Sequence, residues 1–360
     1  MDQERRAAIL LNLLASGHPR RRPPPPVEVL LHGDRDALRE AGIGASGLDR
    51  FLELRRGDAA DEEVRRTERL GARILTVADA DYPAPLVGHP DAPTVLYVAG
   101  AGLPPSPRAA LVGARAAASA QLRFARRLGR ACGEAGVAVV SGLARGIDAA
   151  AHEGCLDGDG RPIGVLGTGI DRTYPRETRR LHGRVRERGL LVTPYPLGTS
   201  PNAPNFPARN RIVAALADSV TVVAATEDSG SMSTARAALD AGTEVSAVPG
   251  SPDDPLSRGT NRLLRDGARP ILEPADLLDP LVGLGVVRAE AFRRDRRAGA
   301  SAAAEESDPL LREIAALPRT PDELAEILDR PVGEVVSRLI ELELRGRAER
   351  LPGRRFRRVE

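Results

Sequence analysis

Between Ala110 and Ala235 the chain repeats one pattern: a short apolar run, a turn of glycine and serine, and the start of a helix. Ala110-Leu111-Val112-Gly113-Ala114-Arg115 and Val139-Val140-Ser141-Gly142-Leu143-Ala144-Arg145-Gly146-Ile147-Asp148 are two copies, each with a helix expected to open on its arginine. Asp228-Ser229-Gly230-Ser231-Met232-Ser233-Thr234-Ala235 is a third, whose arginines move to a separate loop, Phe206-Pro207-Ala208-Arg209-Asn210-Arg211. The chemistry this implies is anion binding. A helix N-terminus carries unpaired N–H groups and partial positive charge, glycine admits an anion close to the backbone, and guanidinium groups pair with phosphate oxygens. Gly113, Arg115, Ser141, Gly142, Arg145, Ser229, Gly230 and Ser231 are therefore candidate phosphate contacts, joined by Phe206, Arg209, Asn210 and Arg211.

Other residues permit acid–base chemistry on spacing alone. Asp148 and His152 stand at i, i+4 on one helix, where a capping carboxylate hydrogen-bonded to the histidine is the expected arrangement. Arg145 can contact phosphate or pair with Asp148 or Glu153, and Phe206 can stack a base or fill the core ahead of Pro207. No serine, cysteine or carboxylate has an evident base partner, so binding is expected rather than turnover, with no catalytic residue, cofactor or metal. Cys132 and Cys155 fit no metal or disulfide spacing and read as small core residues of a reducing cytosol.

The elements that must position these turns form an α/β sheet with crossover helices. Strands are expected near 74–77, 94–98, 109–112, 137–140, 163–166, 190–193, 219–224 and 244–248. Their continuous apolar character implies burial on both faces and a doubly wound, mostly parallel sheet. Residues 1–68 read as a helical module, with a helix over 5–16 and two short helices flanking Ala41-Gly42-Ile43-Gly44, similar to a helix-hairpin-helix. The core spans 69–287, and 288–306 is an Ala/Arg/Glu/Ser linker. Residues 307–360 offer three helices and a hairpin, a winged-helix arrangement. The outer face of its third helix, with Glu334, Ser337, Arg338 and Glu341, is mixed, and Arg354, Arg355, Arg357 and Arg358 lie in the wing, leaving DNA and protein partners both open.

Composition narrows the class only coarsely. With 360 residues and 42% hydrophobic content the chain can build a sizeable core. The net charge of +2 does not by itself diagnose nucleic-acid binding, and every basic residue besides the histidines is arginine, as a GC-rich genome would give. Aromatic residues are 2% with no tryptophan, so base stacking would rest on one or two rings. No apolar run reaches membrane-spanning length and Asp2, Glu4, Arg5 and Arg6 do not make a signal peptide, so a cytoplasmic, membrane-free location is expected.

From Asp81 to Leu278 the motifs resemble the DprA (Smf) family of DNA-processing proteins. They include Tyr82-Pro83, Val112 to Arg115, Ser141 to Asp148 with His152, Gly167-Thr168-Gly169-Ile170-Asp171 with Tyr174-Pro175, Phe206 to Arg211, Ser229 to Ala235, Val248-Pro249-Gly250 and Gly259-Thr260-Asn261. The resemblance implies an extended Rossmann-like core, often with a helical N-terminal module of helix-hairpin-helix or SAM-like type and a C-terminal winged helix. It also implies single-stranded DNA binding, loading of RecA during natural transformation, and a homodimer. Ala114, Ala120-Gln121, Thr193-Pro194 and 202–205 depart from the family pattern and remove polar, flexible, acidic or basic groups near the strand site. A nucleotide-processing enzyme of the lysine-decarboxylase-like phosphoribohydrolase group is the competing class. Against it, no acidic residue follows Ser229 to Thr234 until Asp240. An NAD-type dehydrogenase lacks its glycine fingerprint here.

Overall fold

The computed structural model describes residues 1–15, 25–104, 107–282, 308–344, 347–351 and 353–359. The chain forms two compact units, Met1–Phe292 and Arg293–Glu360.

The larger unit is built on a nine-stranded sheet: β1 (Arg73–Thr76), β2 (Val95–Gly100), β3 (Arg108–Gly113), β4 (Ala138–Ser141), β5 (Ile163–Val165), β6 (Leu190–Thr193), β7 (Ser219–Ala224), β8 (Glu244–Ala247) and β9 (Arg269–Pro270). Their spatial order is β1-β2-β6-β5-β4-β3-β7-β8-β9. All pairings from β6 to β9 are parallel, while β2 runs antiparallel to both β1 and β6. The chain adds β4, β5 and β6 on one side of β3 and then returns to lay β7 on the other. This is the Rossmann arrangement extended by three strands, with its switch point between β3 and β7. All eight expected strands are present. The ninth pair of residues, Arg269–Pro270, is too short to carry a hydrophobic period.

Alternation along β3 shows how the sheet is buried twice. Ala110 and Val112 pack with Ile212 and Val213 of α9 (Asn205–Leu216) and with Met232 and Ala235 of α10 (Gly230–Asp240). Ala109 and Leu111 face the other way, onto Ala125 and Leu128 of α6 (Ser119–Ala135) and Ala151 and Cys155 of α7 (Ile147–Asp157). The two arginines expected to open helices instead precede them: Arg115 lies in the turn before Ser119, and Arg145 in the turn before Ile147.

Residues 1–68 contain more helix than their periodicity suggested: α1 (Gln3–Ala15), α2 (Val27–His32), α3 (Arg35–Glu40), α4 (Ala45–Arg56) and α5 (Ala59–Arg69). The inward face of α5 includes Glu63 and Thr67, so it lacks an apolar stripe. Gly42 has φ +86° between α3 and α4, and Ile43 beside it is buried, giving that turn a packing role. Ile9, Leu10 and Phe51 share a core with Ile74, Val95 and Tyr97 of the sheet. Asn12 Nδ2 donates to Pro194 O at 2.9 Å and Leu197 N donates to Glu63 Oε1 at 2.8 Å, fixing the helical module to the loop after β6.

The smaller unit has helices Pro309–Ala316, Pro321–Leu328 and Val332–Leu344 and a hairpin of Ala348–Leu351 with Arg355–Arg358. Arg319 pairs with Phe356 to extend the wing, and Leu310, Ile314, Leu324, Leu339 and Phe356 form a separate core. The third helix exposes Val332, Val336 and Ile340 as well as Glu334, Ser337 and Glu341, while Arg338 is engaged by Asp308 and Glu341. The expected linker, 288–306, lies outside the described residues.

Candidate functional site

The turns after β3, β4 and β7 and the first turns of α9 meet at the switch point, where an open sheet leaves a crevice beyond its strand ends. A cleft of about 710 Å³ is lined there by Gly113, Arg115, Gly142, Phe206, Arg209, Asn210, Ser229, Gly230 and Ser231, among others. A smaller lobe of about 310 Å³ adjoins it, sharing Arg115, Gly142 and Phe206 and adding Arg145, Arg176 and Glu177.

Two close approaches shape the crevice. Gly146, at φ +80°, lies beneath the β3 turn; a Cβ there would stand 2.2 Å from Ala114 O and 2.7 Å from Arg115 O. Ile147 N donates to Ala114 O at 3.2 Å, so the two turns are locked together with Arg115 exposed above them. Gly142 makes room for Arg209, whose guanidinium lies 2.5 Å from where its Cβ would be. Next to it Leu143 is held at φ +55°, a left-handed conformation that is strained for a branched residue.

Phe206, Arg209, Asn210 and Arg211, expected on a loop, occupy the first two turns of α9. Half-buried Phe206 is the hub of the site. Arg115 Cζ lies 5.3 Å from its ring centroid, Arg209 Cζ 6.0 Å, and the Tyr174 ring 5.5 Å at an interplanar angle of 38°. Cation–π attraction holds the exposed Arg115 over the ring.

Arg209 is only 4% exposed and donates through Nη1 to Gly142 O at 2.7 Å and also to Val165 O. Burial lowers its pKa to about 10, opposed by the charge of Asp148, which is itself buried. Burial raises the Asp148 carboxyl, opposed by Arg209 and by the amide of Gly142, which donates to Oδ2 at 3.1 Å. At the cleft wall the buried charges of Arg209 and Asp148 therefore offset part of each other's burial, and Arg209 contributes positive potential there.

The other candidates separate by geometry. Ser141 is fully buried and its hydroxyl donates to Leu111 O at 2.6 Å. Asn210 Nδ2 donates to Gly230 O at 3.0 Å, tying α9 to the start of α10. Arg211 pairs with Asp91 at 2.9 Å and does not line the cleft. Arg145 pairs with neither Asp148 nor Glu153: its partner is Glu177 at 3.6 Å, whereas Glu153 meets Arg126. The expected Asp148–His152 bond is replaced by His152 Nε2–H donating to Ile163 O at 3.2 Å, since that carbonyl can only accept. Tyr174, Arg176 and Glu177 were not among the sequence candidates as contacts. Tyr174-Pro175 stood out as a motif, yet only the loop after β5 folding back over α9 brings it to Phe206.

Of the residues that depart from the family pattern, Gln121 accepts from Ala118 N at 2.9 Å and donates to Asp254 at 3.0 Å, bracing the start of α6. Pro194 O accepts the Asn12 bond. Among the described residues no helix is long and apolar enough to cross a membrane, and no group of histidine, cysteine and carboxylate side chains could hold a metal.

Fold and site together define an extended Rossmann-type protein with an arginine-rich cleft at its switch point and a separate winged helix. Residues 73–281 match the family of DNA recombination-mediator protein A, and residues 294–354 match the DprA winged helix domain. The chain belongs to the DprA/Smf family. It is 35% identical to protein Smf of Escherichia coli over 331 residues, 89% of this chain and 87% of that one, and 31% identical to protein Smf of a Synechocystis strain over 88% of each. The crystal structure of DNA processing protein A from Streptococcus pneumoniae superposes with a TM-score of 0.62 at 33% identity, covering 68% of this chain and 86% of that one. The protein from Helicobacter pylori, described for its single-stranded DNA binding mode, gives 0.53 at 28% identity over 58% and 96%.

Proposed function

We propose that the protein binds single-stranded DNA along the switch-point cleft and, as a cytoplasmic homodimer, loads RecA onto the bound strand during transformation or recombination, without turnover of its own. The observation that carries this reading is the grouping of exposed Arg115, Arg145 and Arg176 around the Phe206–Tyr174 pair in the smaller lobe, with Arg115 shared by the larger cleft that continues from it. A mononucleotide needs one phosphate cradle; successive cationic positions beside aromatic surface suit a strand. Asp148, the carboxylate at the start of α7 that lines the cleft, is buried, accepts from the Gly142 amide and lies in the field of the buried Arg209. The Helicobacter pylori relative's single-strand binding supports the same assignment.

RecA nucleation tests it. On a strand precoated with single-strand-binding protein, the protein should shorten the lag before DNA-dependent ATP hydrolysis by RecA, and Arg115→Ala should restore the lag. An unchanged lag with the wild-type chain refutes the mediator role. Release of free base from nucleoside monophosphates would instead establish the phosphoribohydrolase reading.

A further inference from the structure

The smaller lobe contains a group that phosphate binding does not explain. Arg115, Arg145 and Arg176 face it, yet so does the carboxylate of Glu177, which opposes a polyanion. Glu177 meets Arg145 at 3.6 Å, and both side chains are about three-fifths exposed, at 62% and 61%. Such a pair contributes little to stability. Tyr174, 39% exposed and in ring contact with Phe206, lines the same lobe together with Pro175.

Resting on the strand-binding reading, we propose that this lobe takes one unpaired base against Tyr174 and that Glu177 selects guanine. The chemistry follows from the base edges. Guanine presents two parallel donors, N1–H and N2–H, matched to the two oxygens of a carboxylate. Cytosine and adenine offer one amino donor beside a bare ring nitrogen that repels the carboxylate, and thymine offers one N–H between two carbonyls. Those edges are free only in a single strand, where proteins read them directly. The carboxylate thus gives up some phosphate attraction in exchange for discrimination, and the guanidiniums around it hold the flanking phosphates.

The test is fluorescence anisotropy of the full-length protein with a thymine oligonucleotide, the same oligonucleotide carrying one central guanine, and one carrying hypoxanthine, which lacks the 2-amino group. The guanine strand should bind at least about fivefold tighter than the thymine strand, the lower end of a bidentate base contact, with hypoxanthine between them. Glu177→Gln should abolish the preference and strengthen binding of the thymine strand, because one repelling charge is gone. Equal affinity of the wild-type chain for guanine and thymine strands, or a preference that survives Glu177→Gln, overturns the selectivity while leaving strand binding intact. Failure of the wild-type chain to bind the thymine strand overturns the reading beneath it.

Discussion

Replacing Arg209 by leucine tests the buried electrostatics at the cleft wall. Leucine removes the guanidinium donor from Gly142 O and Val165 O and removes the positive charge that opposes the burial of Asp148. Breaking a buried charge pair by removing one partner costs about 3–5 kcal/mol. The sign with pH follows from the carboxyl. Burial already raises the Asp148 pKa and Arg209 opposes that, so losing the arginine raises it further. A carboxyl raised in the folded state is stabilised when protonated, so the deficit of Arg209→Leu relative to wild type should be largest at pH 8 and shrink toward pH 5. Denaturant titrations followed by circular dichroism at both pH values measure this. Asp148→Asn in the Arg209→Leu background should recover more than about 1 kcal/mol, since it removes the stranded charge. A loss under about 1 kcal/mol at pH 8, or a deficit that grows on acidification, refutes the charge-pair account.

Three further outcomes are expected. His152 and His182 are buried, and burial depresses both to about 4. The neutral rings stabilise fully above the unfolded histidine value of about 6.5, and that stability is lost as pH falls through the window toward 4. Thermal melting between pH 7 and pH 4.5 should therefore show a falling Tm, flatter in His152→Gln; a pH-independent Tm contradicts it. Gly146→Ala must push against Ala114 O and Arg115 O from a left-handed backbone, and should cost at least about 1–3 kcal/mol in denaturant unfolding and weaken strand binding. Gly230→Ala, whose Cβ would meet nothing closer than Asn210 Nδ2 at 3.7 Å, should be far milder in the same titration. Arg211→Ala should reduce strand affinity less than Arg115→Ala in a competition assay, because Arg211 is held by Asp91 off the cleft wall; equal losses would place the strand across both.

Much of the sheet was legible because its strands are continuous apolar runs bounded by glycine turns. Val137 to Val140 and Ser219 to Ala224 are such runs, and the strands fall at Ala138–Ser141 and Ser219–Ala224. The turns that end β3, β4 and β7 were legible for the same reason, since glycine or serine after an apolar run marks a turn. Partners chosen across the fold were not. Arg209 sits three residues from Phe206 in sequence, but its role is set by Gly142 and Val165, which lie 67 and 44 residues away. Arg145 lies three residues before Asp148, yet it meets Glu177 because the turn aims it outward. Helix α5 escaped because its buried face is polar and satisfied by contacts such as Leu197 N to Glu63. Sequence periodicity reports which side faces the core; Arg209 and Glu63 face it with charge, and Arg145 faces solvent.

The central claim is that the cleft holds a single strand through Arg115. Fluorescence anisotropy with one labelled oligonucleotide, alone and annealed to its complement, at low and high salt, tests it in wild-type and Arg115→Ala proteins. The account predicts tighter binding of the single strand than of the duplex, steep weakening with salt as condensed counterions are no longer released to advantage, and a loss of about tenfold or more with Arg115→Ala, as expected for a charge-assisted phosphate contact. Equal affinity for single strand and duplex, or an Arg115→Ala protein that binds like wild type, would contradict it.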